Sequence, residues 1–161
     1  PLARRGDVCA LELQCSLANA KPRARLVLDL DHCKQGNDQH GHEAGDRALR
    51  HVASTLRASL RATDLATRLG GEEFAILLTN TTADQAHRVA EKIRNEIESN
   101  PVPYQDQPIR LTISGGIAQF GPDGADLRSL IGRADEYLYN AKDAGRNQII
   151  SSESVLVPCQ A

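Results

Sequence analysis

The chain has 161 residues, with 19 Lys and Arg against 21 Asp and Glu and a formal net charge of −2, which argues against a broad nucleic-acid or membrane-binding surface. Its 40% apolar content includes only three Tyr and two Phe and no Trp, so the core must be built from Leu, Ile, Val and Ala, as suits helices packed on a sheet in one domain. Cys9, Cys15, Cys33 and Cys159 lack a CxxC spacing, no stretch reaches the roughly 18 apolar residues of a membrane span, and residues 1 to 20 hold no signal-peptide core. Neither a disulfide framework nor a zinc finger is suggested, and a reducing cytoplasm is expected.

Along the chain, Val8, Leu11 and Cys15 have helical spacing before AKPRA (20 to 24) breaks it. RLVLDLD (25 to 31) predicts a central strand ending in acid, with Val27, Asp29 and Asp31 on one face and Leu26, Leu28 and Leu30 on the other. After the polar turn HCKQGNDQHG, a helix is predicted from about Glu43 to Leu60, with Leu49, Val52, Leu56 and Leu60 as its stripe.

TDLATRL (63 to 69) and EFAILLT (73 to 79) predict two strands joined at Gly70-Gly71, a hairpin because tight turns need positive φ. Ala86, Val89, Ala90, Ile93 and Ile97 give a helix over 83 to 99, ended by the prolines of NPVPYQDQP. IRLTISGGIAQF (109 to 120) predicts a strand loosened by Gly115-Gly116. Residues 125 to 145 predict a helix closed by Gly145, and NQIIS (147 to 151) a last strand. This order implies an α+β, ferredoxin-like plan: a central, mostly antiparallel sheet flanked by helices. Residues 1 to 151 are expected to form a single domain and 152 to 161 a tail or linker, the whole being a fragment of a longer multidomain protein.

The chemistry centres on acids. Asp29 ends a central strand, and Glu72 and Glu73 follow a hairpin turn in the same sheet, so the three can converge. Converging carboxylates repel unless a cation lies between them, and hard oxygen donors select Mg2+ or Mn2+. An isolated pair of glutamates beside a turn is more often solvated charge; as regular strand, the two would point to opposite faces, with Glu73 slightly favoured for a metal.

GGEEF (70 to 74) resembles the signature of the GGDEF family of diguanylate cyclases, which join two GTP into cyclic di-GMP. DLDHCKQGNDQHGHEAGD (29 to 46) and RADEYLYNAKDAGRN (133 to 147) resemble that family's flanking motifs in order and spacing, and the likeness covers most of residues 4 to 150. It implies a nucleotidyl-cyclase-like palm, with Asp29, the Leu30 carbonyl and Glu73 as ligands of Mg2+ (or Mn2+), and Glu72 as a further ligand or the proton acceptor. It also implies Gly70 and Gly71 against the phosphates, Lys34, Lys142 and Arg146 on the triphosphate, and Asn37 and Asp46 reading guanine, with His42 as another substrate contact. A carboxylate suits the N1–H and N2–H2 donors of guanine and would be left unpaired against adenine.

RATD (61 to 64) matches the family's Arg-x-x-Asp product-inhibition site, so Arg61, Asp64 and, on the 83 to 99 helix, Lys92 are expected to bind cyclic di-GMP. The bland alternative for Arg61 and Asp64 is a local surface ion pair. The resemblance further implies a homodimer for activity, covalently attached sensor or effector domains, no nucleic-acid polymer as partner, and a cytoplasmic domain whose parent protein can be membrane-anchored. His32, Cys33, Gly36 and His40 depart from the apolar residues usual in the family's substrate turn. They motivate a second reading, a catalytically degenerate domain that binds GTP or cyclic di-GMP as a regulatory module.

Overall fold

The computed structural model describes residues 22–32 and 41–152. In chain order the elements are β1 (Arg23–Leu30), α1 (His42–Ser59), β2 (Leu65–Gly70), β3 (Glu73–Thr79), α2 (Ala83–Ser99), β4 (Ile113–Gln119), α3 (Leu127–Asp143) and β5 (Ile149–Ser151). The strands form one sheet in the order β2-β3-β1-β4-β5. It is antiparallel except for the β4–β5 edge, which is parallel, as expected of a palm of mixed strands flanked by helices. The helix expected before residue 20 lies outside the described residues.

β1 is the middle strand and is buried along almost its whole length. Leu26, Leu28 and Leu30 project to one face, where Phe74, Ile76, Ile113 and Ile117 join them under α1 and α2. Val27 projects to the other, against Ala118 and the Leu130, Ala134 and Leu138 stripe of α3. Burying one such aliphatic side chain contributes about 1.5–3 kcal/mol, so both faces hold the strand and its register is strongly specified.

α2 runs over the expected residues, begins with a Thr82–Gln85 capping box, and buries Ala86, Ala90, Ile93 and Ile97. In α1 the fully buried stripe is Ala44, Ala48, Val52 and Leu56, with Leu49 and Leu60 only partly buried. Small residues there let the helix lie close to the sheet, which a search for large apolar side chains overlooks.

Gly115 and Gly116 do not loosen β4. A Cβ on Gly116 would run into the Ala134 carbonyl and the Leu138 amide of α3, and one on Gly115 would lie 2.6 Å from Leu28 Cδ2. Gly116 thus permits close approach of α3 to the sheet, while Gly115 leaves room for the Leu28 and Ile149 side chains of the neighbouring strands. The stretch from Ile109 makes an isolated bridge to Val102 and its Thr112 carbonyl accepts from Asp31 N–H, but the strand proper begins at Ile113, so β4 is shorter than expected. Among the described residues no helix is long and apolar enough to cross a membrane.

Candidate active site

The register of the sheet sets Asp29 opposite Glu73 on β3 and opposite Ser114 on β4. Directly opposed residues of an antiparallel pair project to the same face with Cα atoms about 4.5–5.5 Å apart. The two acids are therefore neighbours on the α3 side of the sheet. Asp29 is buried while Glu73 is exposed, so the pair runs from the core to the rim. Lys142, in the last turn of α3, places Nζ 2.9 Å from Asp29 Oδ1. That contact offsets a charge that would otherwise be buried alone.

The hairpin turn consists of Gly71 and Glu72; Gly70 pairs with Glu73 as the last residue of β2, after a register shift between Arg68 and Gly70. Gly71 sits at φ 54, where L side chains are disfavoured. Its carbonyl accepts from Arg68 Nε at 2.9 Å and Nη2 at 2.6 Å, while the Glu72 carbonyl accepts from Leu30 N–H at 3.3 Å. The tip is thus tied both to its own strand and to the end of β1, which brings Leu30, Glu72 and Glu73 together beside Asp29. Among the described residues no three His, Cys, Asp or Glu side chains gather as a ready-made metal cage. What the sheet supplies is a pair of aligned acids with the backbone of Leu30 and Glu72 beside them.

On α1, His42 is the first residue and exposed. Asp46 lines a cavity of about 300 Å³ with Leu49, Arg50, Ala53, Arg68 and Phe74. Arg50 and Arg68 were missed by sequence reasoning; the signal for Arg68 was its place just before the glycines of a hairpin that needs its outer carbonyl held. Lys34 and Asn37 lie outside the described residues.

Asp31, given no role from the sequence, is buried and accepts from Ser114 Oγ at 2.7 Å, Thr112 Oγ1 at 2.8 Å and the Asn147 backbone N–H at 3.1 Å. It joins β1 to the turn after α3. That helix ends with Gly145 at φ 115, Arg146 N–H donating to the Ala141 carbonyl at 3.0 Å and Gly145 N–H to that of Lys142 at 3.5 Å, a Schellman closure. Arg146 is exposed and follows directly.

Arg61 and Asp64 form the turn between α1 and β2. Asp64 accepts from the Arg61 backbone N–H at 3.0 Å and from Thr79 N–H at 3.3 Å, so the link between the two is a backbone contact, and the Arg61 side chain is exposed. Lys92 lines a separate cavity of about 410 Å³ between α1 and α2, with His51, Thr55 and Glu96.

Residues 8–148 match the family model described as diguanylate cyclase, GGDEF domain. The chain is 40% identical over 131 residues to diguanylate cyclase A of Treponema denticola, covering 81% of this chain and 35% of that protein. It is 38% identical over 131 residues to the response regulator PleD of Caulobacter vibrioides, covering 80% and 29%. It thus spans about a third of the length of these curated relatives. Among solved structures it resembles the GGDEF domain of DgcB from Caulobacter crescentus in complex with c-di-GMP, with TM-score 0.87, 33% identity and coverage of 95% of this chain and 92% of that one. The active GGEEF domain of a diguanylate cyclase from Vibrio cholerae superposes with TM-score 0.85 at 28% identity, covering 94% and 97%.

Proposed function

Since this chain belongs to the GGDEF domain family, we propose that it is a diguanylate cyclase that condenses two GTP into cyclic di-GMP with release of pyrophosphate. The observation that carries this reading is the cross-strand opposition of Asp29 and Glu73 beside the Gly71–Glu72 turn. It sets acids at a point where a phosphate chain can approach backbone.

Each of two subunits in a homodimer holds one GTP. The 3′-hydroxyl oxygen of one nucleotide bonds to the α-phosphorus of the other as the bond to the β-phosphate bridging oxygen breaks, and Glu72 takes the hydroxyl proton. The same step at the second subunit closes the ring, so two GTP give one cyclic di-GMP and two pyrophosphates. Positioning and charge neutralisation are most of the protein's task in such chemistry.

The donor set fits Mg2+ or Mn2+: carboxylates of Asp29 and Glu73 with the Leu30 carbonyl are hard oxygen ligands, Glu72 is a further candidate, and a cationic group already stands on Asp29. Bound there, the ion would neutralise charge on the phosphates. Lys142 keeps the Asp29 carboxylate compensated and, with Arg146 and Lys34, faces the triphosphate. Asp46, with Asn37, reads guanine at the cavity beside α1, and His42 adds a substrate contact.

Arg61, Asp64 and Lys92 belong to the same reading as a product site. Asp64 is held by backbone donors, which leaves the exposed Arg61 guanidinium to fork onto guanine O6 and N7. Feedback would then act by fixing domains so that two GTP cannot meet. Attached sensor or effector domains and a cytoplasmic setting complete the proposal.

The test is to incubate the pure protein with GTP and Mg2+ and to resolve the nucleotides chromatographically. Cyclic di-GMP from the native chain and none from Glu73→Gln supports the enzyme. Absence of product, with saturable cyclic di-GMP binding that Arg61→Ala abolishes, replaces it with a regulatory binding module.

A further inference from the structure

The turn that follows α3 holds two consecutive residues other than glycine in left-handed backbone. Beyond Gly145, Arg146 and Asn147 lie at φ 66 and 47, a left-handed region that side chains other than Gly, Asn and Asp avoid, and consecutive residues rarely occupy it. Such a conformation persists only where surrounding contacts over-determine it.

Those contacts converge on Asn147. Its backbone N–H donates to Asp31 Oδ2 at 3.1 Å, and Asp31 is itself pinned by Ser114 and Thr112. Its side-chain Oδ1 accepts from Arg94 Nη1 at 2.9 Å and its Nδ2 donates to Glu98 Oε1 at 2.8 Å. Arg94 and Glu98 lie on α2 and pair with each other at 2.8 Å, and Arg94 also pairs with Glu91 at 3.0 Å. The hydrogen bond from Asn147, followed by that from Arg94, holds the Glu98 carboxyl below its ordinary range. For Arg94, burial pulls the guanidinium pKa down, but its bonds to Glu98 and Glu91 outweigh that and leave it raised. Three separate elements, β1, α2 and the end of α3, thus meet at one asparagine whose neighbour in the chain is Arg146.

We infer that Asn147, clamped by Asp31 and by the Arg94–Glu98 pair of α2, is a positioning residue: it fixes the left-handed turn that aims Arg146, together with Lys142 one turn earlier, at the triphosphate. This rests on the reading of Lys142 and Arg146 as phosphate cations given above. Asn147 touches no substrate in this scheme; it acts by removing the freedom of an exposed, long cation, so that less ordering is needed when the polyanion binds.

Asn147→Gly tests this cleanly, because Gly tolerates the left-handed backbone and keeps the N–H for Asp31 while deleting the side-chain clamp. Arg94→Ala breaks the same clamp from α2. Equilibrium binding of 3′-deoxy-GTP, which cannot condense, is measured with Mg2+ on the full chain and compared with GMP, which lacks the β- and γ-phosphates. Each variant is expected to bind 3′-deoxy-GTP about tenfold more weakly with GMP affinity unchanged, and the double variant no more weakly than the worse single one, since both remove one interaction. If Arg146→Ala weakens 3′-deoxy-GTP but neither Asn147→Gly nor Arg94→Ala does, the positioning role is overturned and the phosphate reading stands. Equal loss for both nucleotides overturns it in favour of a general structural role. No loss in Arg146→Ala overturns both.

Discussion

Lys142 Nζ and Asp29 Oδ1 lie 2.9 Å apart, joining the last turn of α3 to the end of the central strand, with the aspartate side chain only 6% exposed. The lysine is a third exposed, so part of the interaction is screened by water, and the larger effect of its loss is the uncompensated buried carboxylate. Lys142→Met is expected to lower stability by about 1–2 kcal/mol in metal-free buffer. Millimolar Mg2+ should restore part of that loss if a divalent ion takes the same place. Urea denaturation with and without MgCl2 measures both; an unaltered midpoint in metal-free buffer would show that the contact carries no weight.

Gly116 lies under α3 with backbone atoms of Ala134 and Leu138 where a Cβ would go. Because the obstruction is helix backbone and not the flexible end of a side chain, the helix itself must shift. Gly116→Ala should cost about 3 kcal/mol. It should also displace Lys142 from Asp29, so loss of activity at temperatures where the variant is still folded is the second readout. A variant as stable as the parent would mean that α3 is less tightly seated than described.

The Glu98 carboxyl gives a pH-dependent handle on the inferred clamp. Its folded-state pKa is depressed, first by the Asn147 hydrogen bond and then by Arg94. Its contribution is therefore present above the ordinary carboxylate pKa and is lost as pH falls through the depressed value. An NMR titration should find Glu98 below its usual range in the parent and moved back up towards the ordinary carboxylate range in Asn147→Gly. The same apparent pKa in both chains would deny the bond in solution.

Asp46 lines the cavity beside α1, and in the proposed function its carboxylate accepts from the two donors of guanine's edge. Asp46→Asn replaces one accepting oxygen with a donor and should cost about 2 kcal/mol in GTP affinity, with little change for ATP. Competition binding with the two nucleotides measures the ratio, and equal losses for both would place guanine elsewhere.

Much of this was legible along the chain because it depends on local pattern. The α2 boundaries follow from the period of Ala86, Ala90, Ile93 and Ile97 and from proline beyond them, and alternation along β1 correctly separated Asp29 and Asp31 from Leu26, Leu28 and Leu30. Gly145 closing α3 is a local signal of the same kind. Gly115 and Gly116 do not weaken the strand, since a glycine needed for close approach and one that merely interrupts look alike until α3 is seated over Gly116 and Leu28 and Ile149 are packed against Gly115. Arg68 and Asp31 were passed over because their partners, the Gly71 carbonyl, Thr112, Ser114 and Asn147, acquire meaning only across the hairpin and the sheet.

What the sequence determined by itself was the set of elements among the described residues, the chemical character of the acids and cations, and the family, since these reside in periodicity and in short contiguous motifs. The tertiary structure alone decided that Asp29 faces Glu73, that Lys142 stands on Asp29, and that α2 reaches Asn147. The reason is physical: register, helix seating and the long-range bonds of buried carboxylates are set by how two faces of one sheet are covered at once, a condition that no segment of the chain satisfies alone.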